Sequence, residues 1–346
     1  MTELRQKYEG ILLGSLAGDA LGAPAEGRST KQISECFGGY LTDFQTPPDD
    51  CLARGRRKYQ ITDAASIPWL LCEHIAAAGK ANRETAKAAL RAWGETEWFE
   101  PFAGMTTRKV VNLLREDDSV SAWSYAGHLG NKLFKSHYYA LSSNGAAVKA
   151  YPAALLHPGD EEAAIRTAVE LTMASHDDPI SISGACAVAA AVSCALGGEA
   201  TPAAMTEAAF RGAKEGETLA FAEPDIWVYP GPSVADRLEM AVEIAVRKGC
   251  DAMPELRDVV GNGPSVAETV PVAFGLLIAF DGEVVPAMQA AANIGDETAA
   301  DASLTSTLGG ALHGAAAFPE EWRAELEKAN GLEIAPLAEA MLKLAK

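Results

Sequence analysis

The chain has 346 residues, 48% of them hydrophobic, enough to bury a large core, and no Pro-, Ser- or charge-rich linker divides it, so one domain over 1–346 is expected. Its 47 acidic against 29 basic residues leave a formal net charge of −18, which repels phosphate backbones and anionic lipid and argues against nucleic-acid and membrane partners. The charged N-terminus has no signal-type segment, no uninterrupted apolar run reaches roughly 18 residues, and the six cysteines form no C-x-x-C. A soluble, cytoplasmic protein with reduced thiols is therefore expected.

Apolar residues recur at helical spacing almost throughout, and strand-like alternation is rare. In chain order the pattern predicts helices over 8–22, 67–80, 83–95, 105–116, 161–175, 182–198, 202–216, 234–249, 268–280, 284–295, 300–318 and 334–346, most of them bounded by Gly, Pro, Asp or Asn. The first carries small residues on one face, which lets a neighbouring helix approach its backbone. Two long irregular stretches, 27–60 and 129–152, contain aromatics and glycines and are expected to be ordered, site-forming loops. The fold class is all-α, an orthogonal helical bundle whose loops carry the chemistry.

Five segments carry the residues that chemistry would use. In GSLAGDALGAPAEG (14–27), Asp19 sits among glycines, where a carboxylate can cap a neighbouring helix or loop, and Glu26 follows Pro24 with a route into a cavity. Thr62-Asp63 precedes an apolar run and reads either as a helix N-cap or as part of an oxygen-ligand cluster for a hard cation. In SSNGAAVKAYP (142–152), the Asn144-Gly145-Ala146 turn exposes backbone N–H groups at a helix start, which suits an anion. His176 lies before an acidic turn and a small-residue helix, where a hydrogen-bonded structural role competes with a functional one. Asp296, Glu297, Thr298 and Asp301 precede another small-residue helix, and the helix dipole alone would favour acids there.

Taken in this order, the segments resemble the ADP-ribosylglycohydrolase family of all-α enzymes. GSLAGDALGAPAEG is similar to the family's G-x-x-x-G-D-A-L-G-x-P-x-E and SNGAAVKAYPAAL to its S-N-G-A-A-M-R-x-x-P-x-x-L. SHDDP, GNGPSVAETVPVAF and NIGDETAADASLTSTLGGALHG match later family segments. The resemblance runs from about residue 8 to residue 322. It implies hydrolysis of a ribosyl N- or O-glycosidic bond, in ADP-ribose or a smaller ribosyl compound, with Asp63, Glu26 and Glu297 as the catalytic candidates. Asp19, Asn144, Gly145, Ala146 and His176 become the substrate-binding candidates.

Family members hold two Mg²⁺ ions through T-D-D, D-x-D-T and a Glu of the first segment. Here the first motif reads Thr62, Asp63 and Ala64. A gapless match anchored on Asn293, Gly295 and residues 311–314 places Glu297 on the first Asp of the second motif, Ala299 on its second Asp and Ala300 on its Thr. A shifted register would promote Asp301 to a ligand but loses the Asn-x-Gly match. Mg²⁺ relies on carboxylate charge to give up water, so a two-metal centre is not expected, and at most one weak site built on Thr62, Asp63 and Glu297 remains. The alternative function is that of a catalytically inactive family member acting as a nucleotide-sugar-binding or structural protein.

Overall fold

The computed structural model describes residues 3–116 and 142–345 apart from 199, 225, 227 and 229. The predicted loop 129–152 lies mostly outside the described residues; its end, from Ser142, is described below. The fold is all-α: α1 (Glu3–Gly22), α2 (Thr30–Phe37), α3 (Asp63–Ala78), α4 (Arg83–Trp93), α5 (Met105–Glu116), α6 (Glu161–Thr172), α7 (Pro179–Leu196), α8 (Pro202–Ala222), α9 (Val234–Lys248), α10 (Val266–Ala279), α11 (Val284–Asn293), α12 (Thr298–His313), α13 (Glu320–Asn330) and α14 (Ile334–Leu342), joined by shorter helical turns. Among the described residues the only β-pairing is two isolated bridges, Ser29 with Gly295 and Ser143 with Ser265. Buried apolar side chains from all fourteen helices join one cluster.

The centre of the molecule is the antiparallel pair α1 and α12, and glycine spacing makes it. Gly10, Gly14, Gly18 and Gly22 recur every fourth residue, so they line one face of α1. Each lies so near the α12 segment that a Cβ would collide with backbone atoms of Gly314, Ser306, Ala302 and Thr298, respectively. At this separation α12's hydroxyls reach α1's carbonyls: Ser306 Oγ donates to Gly14 O (2.7 Å), Ser303 Oγ to Ser15 O (3.1 Å) and Thr298 Oγ1 to Gly22 O (2.9 Å). The crossing brings the C-terminal end of α1 against the N-terminal end of α12.

Two helices lie where no helix is expected from periodicity. Within the stretch read as a loop, α2 starts at a capping box in which Ser29 Oγ accepts from Gln32 N while Gln32 Oε1 accepts from Ser29 N. The S-x-x-Q pattern was legible, but a single buried residue, Ile33, gives it almost no apolar period. Likewise α13 buries only Trp322 and Leu326 and is otherwise charged. Five predicted helix starts also move outward, among them α1 to Glu3, α7 to Pro179 and α10 to Val266. Helix α3 begins at Asp63 rather than 67 and carries Pro68 in its second turn, and α12 begins at Thr298 rather than 300.

Helix α7, with Ser181, Ser183 and Ser193 interrupting its apolar run, is long and apolar enough to cross a bilayer, yet 94% of it is buried inside the protein, as befits a core helix. The six cysteines are free; Cys51, Cys72 and Cys186 are buried and Cys36 and Cys250 exposed.

Candidate functional site

Three helix starts converge on one cleft of about 390 Å³: Asp63 at the start of α3, Asn144 before the turn Gly145–Val148, and Glu297 at the N-cap of α12. Glu26, beyond the end of α1, forms part of the same wall. Backbone pairs hold these loops in place. Gly27 N donates to Asp296 O and Asp296 N to Arg28 O, both at 2.9 Å, while Asn144 N donates to Pro264 O at 2.8 Å. Asp296 takes a positive φ of 53° after Gly295 at 102°, a reversal that lets Glu297 enter the helix facing the cleft.

Asp19 holds α3 in position. Its Oδ2 accepts from the backbone N–H of Thr62 (2.9 Å) and of Ala65 (2.8 Å), and its Oδ1 from the Thr62 hydroxyl (2.7 Å). The carboxylate thus satisfies N–H groups that an N-cap side chain would ordinarily serve, from another helix. Thr62 occupies the N-cap position but makes no cap bond with its own side chain. Burial pushes Asp19 up to about 6, against the lowering effect of the Thr62 and Ala65 donors.

The cleft carboxylates raise one another. Asp63 is pushed up to about 8, first by burial and then by the charges of Asp19 and Glu297. Burial, with Glu297 and Asp63 beside it, holds Glu26 well above the usual carboxylate range; its Oε2 accepts from Ala299 N at 3.1 Å, fastening α12 to the end of α1. Glu297 is also raised by burial, but Asn144 Nδ2 donates to its Oε2 at 2.9 Å and works in the opposite direction. Among the described residues no three Asp, Glu, His or Cys side chains are grouped so as to hold a metal ion.

Five of the nine candidate catalytic, substrate-binding and metal-ligating residues line the cleft: Glu26, Asp63, Asn144, Gly145 and Glu297. The others stand behind it. Asp19, expected at the substrate, is fully buried and spends its oxygens on the start of α3. Thr62 is 5% exposed with its hydroxyl committed to Asp19, Ala146 is fully buried, and His176 is 1% exposed. His176 acts on the wall through Ser143, whose Oγ lies 2.8 Å from His176 Nε2. Asp301 lies inside α12, and neither of its carboxyl oxygens is hydrogen-bonded among the described residues; the neighbouring Thr269 hydroxyl is directed at Gly263 O (3.4 Å). Burial, with Glu297 nearby, holds Asp301 well above the usual carboxylate range.

Several wall residues were not anticipated. Ser143 adjoins Asn144 and had a local signal in the Ser-Ser-Asn-Gly turn; Thr107, Ile67, Phe102 and Met105 had none, because only packing turns them inward. A more open groove of about 540 Å³ between α8 and α9 is lined by Phe210 and Leu238 together with Glu207, Glu239, Glu243 and Arg211.

The Asp63 shift predicts a pH dependence of stability. With a folded value of about 8 against an ordinary 3.8, the native state keeps a proton that the unfolded chain has released, so stability falls as pH rises from about 4 to about 8. Asp63→Asn should therefore melt higher than the parent at pH 8 by roughly 2–8 °C, with the difference vanishing near pH 4 in thermal denaturation scans. Equal differences at both pH values would contradict the assignment.

The ADP-ribosylglycohydrolase family model matches residues 1–346. The chain is 25% identical to the uncharacterized protein YegU of Escherichia coli (strain K12), over 98% of this chain and 97% of that one. It is also 25% identical to an uncharacterized protein of Archaeoglobus fulgidus, over 95% and 94% of the two chains. A solved structure of an ADP-ribosylglycohydrolase-related protein complex superposes with a TM-score of 0.66 at 20% identity, covering 100% of both chains, which shows the same fold.

Proposed function

Because the chain belongs to the ADP-ribosylglycohydrolase family along its whole length, we propose that it hydrolyses a ribosyl N- or O-glycosidic bond, in an ADP-ribosyl compound or a smaller ribosyl one. The observation that carries this reading is the convergence of carboxyl groups in unlike environments on one cleft beside Asn144. Glu297, whose charge the Asn144 amide supports, is the group best able to take a proton from water attacking the anomeric carbon. Asp63, protonated up to about pH 8, supplies a proton to the leaving group. Such a division suits an oxocarbenium-like transition state, which needs a nearby negative charge and a held water. Glu26, with one oxygen on Ala299 N, holds the two helix ends together and adds to the negative field.

The donor set does not fit a pair of Mg²⁺ ions. Ala64, Ala299 and Ala300 present methyl groups to the cleft where the family has oxygen ligands, and the Thr62 hydroxyl is engaged by Asp19. One weakly held Mg²⁺, drawn by Asp63 and Glu297, is the most these side chains would support, and the steps above use no metal.

The test is chromatographic measurement of product released from N- and O-linked ADP-ribosylated peptides and from simple ribonucleosides. The parent should cleave one of these classes, and Asp63→Asn should lower kcat by roughly 10²–10⁴-fold. The rate should also fall above about pH 8, as the Asp63 proton is lost. If nothing is cleaved but ADP-ribose raises the melting temperature, the chain is a binding protein of this family; if neither occurs, the reading fails.

A further inference from the structure

Behind the cleft wall lies a buried lysine with no carboxylate partner among the described residues. Lys149 is 3% exposed, and no ion pair to it forms among the described residues. The small cavity beside it is walled by Ile67 and Leu71 of α3, Ala86, Ala89 and Leu90 of α4, and Leu171 of α6. Its Nζ has two partners: it donates to Gly145 O at 2.9 Å and lies 3.1 Å from His176 Nδ1. Ser175 Oγ is 2.8 Å from the same Nδ1, and on the far side of the ring Ser143 Oγ is 2.8 Å from Nε2. Ser143 faces the cleft.

The donor inventory orders this chain. A lysine ammonium has three protons and no acceptor, so the nitrogen facing it must be bare. The imidazole then carries its proton on Nε2 and donates to Ser143 Oγ. With that lone pair occupied, the Ser143 hydroxyl proton is released toward the cleft. We infer that Lys149 is a positioning residue which, through His176, makes Ser143 a hydrogen-bond donor to an acceptor oxygen of the ligand. Without Lys149 the ring is free to place its proton on Nδ1, donating to Ser175; Nε2 then accepts from Ser143, and the serine presents only lone pairs to the cleft. Removing a residue that never touches the ligand would thus invert the polarity of one wall. Burial, and the Lys149 charge beside it, hold His176 below its ordinary value and favour a neutral ring; burial also lowers Lys149 to about 7, so the ammonium that fixes the tautomer is the form present below that pH, where the spectra are to be recorded.

This inference rests on the proposed reading only in taking the cleft as the ligand site, and the experiment separates the two. The His176 tautomer is read by imidazole ¹⁵N NMR in the parent, Lys149→Met and Lys149→Arg; ADP-ribose affinity is measured by calorimetry in the same proteins and in Ser143→Ala. The expected result is an Nε2–H tautomer in the parent and in Lys149→Arg, and a shift toward Nδ1–H in Lys149→Met. ADP-ribose binding should weaken roughly tenfold in Lys149→Met and in Ser143→Ala and remain in Lys149→Arg. It should weaken no further when Lys149→Met and Ser143→Ala are combined in one chain, since both act through one hydroxyl. An Nδ1–H ring in the parent, or an unchanged tautomer in Lys149→Met, overturns the inference. Additive losses in the double variant overturn it too. If ADP-ribose does not bind the parent, the ADP-ribosyl half of the ligand reading fails and the NMR spectra still decide the role of Lys149.

Discussion

Ala64→Asp, Ala299→Asp and Ala300→Thr, introduced together, should raise Mg²⁺ affinity at least a hundredfold over the parent. All three alanines line the cleft, next to Asp63 and Glu297, so the added oxygens would join carboxylates already present. In EDTA the variant should melt several degrees below the parent, because two further charges enter a cluster whose members already raise one another. Millimolar Mg²⁺ should reverse that loss and carry the melting temperature above the metal-free value, since an ion that binds only the folded chain stabilises it by mass action. Placing Asp at position 299, in the first turn of α12, is also compatible with the helix dipole. The measurement is Mg²⁺ titration by calorimetry, with melting curves in EDTA and in Mg²⁺. Parent-like affinity in the variant would mean that these positions do not face a common ion, and the gapless assignment of Ala299 and Ala300 would fall with it.

Gly14→Val should abolish the folded state at 37 °C. A Cβ on Gly14 would sit well inside van der Waals contact with Ser306 O, a backbone atom of α12 that cannot move without displacing the whole helix. The same displacement would break the Ser306 hydroxyl's bond to Gly14 O and separate Glu26 from Ala299 N. Overpacking of this kind, with no flexible neighbour to yield, costs about 4 kcal/mol or more, a large share of the stability of an ordinary domain. Gly104→Ala is the control: nothing lies within 4 Å of its added methyl, and it should remain within about 0.5 kcal/mol of the parent. Circular dichroism melts of the three proteins check this. A folded Gly14→Val protein with parent-like melting would mean that α1 and α12 are further apart than described.

Much of the site was legible because its residues sit at helix starts and in glycine turns, features that depend on local sequence. Asn144-Gly145 announces its turn, and Asp63 and Glu297 stand where an apolar helix begins. The role of Asp19 was only half legible. Its fitness to cap another element follows from its chemistry, but which helix it caps depends on α1 crossing close to the start of α3. Lys149 and His176 were harder still, since 27 residues separate partners that meet at 3.1 Å. Nothing in the local pattern distinguishes that lysine from one directed at solvent.

From the amino-acid order alone come the all-α class, the small-residue face of α1, and the alanines at positions 64, 299 and 300, because periodicity and residue chemistry are local properties of a chain. The tertiary structure decided which polar groups face the cleft and which lie behind it. It withdrew Asp19, Thr62, Ala146 and His176 from the surface and supplied Ser143 and Thr107 in their place. It also set the environment of each carboxyl group, since burial and the distance to a neighbouring charge arise only when segments remote in sequence pack together.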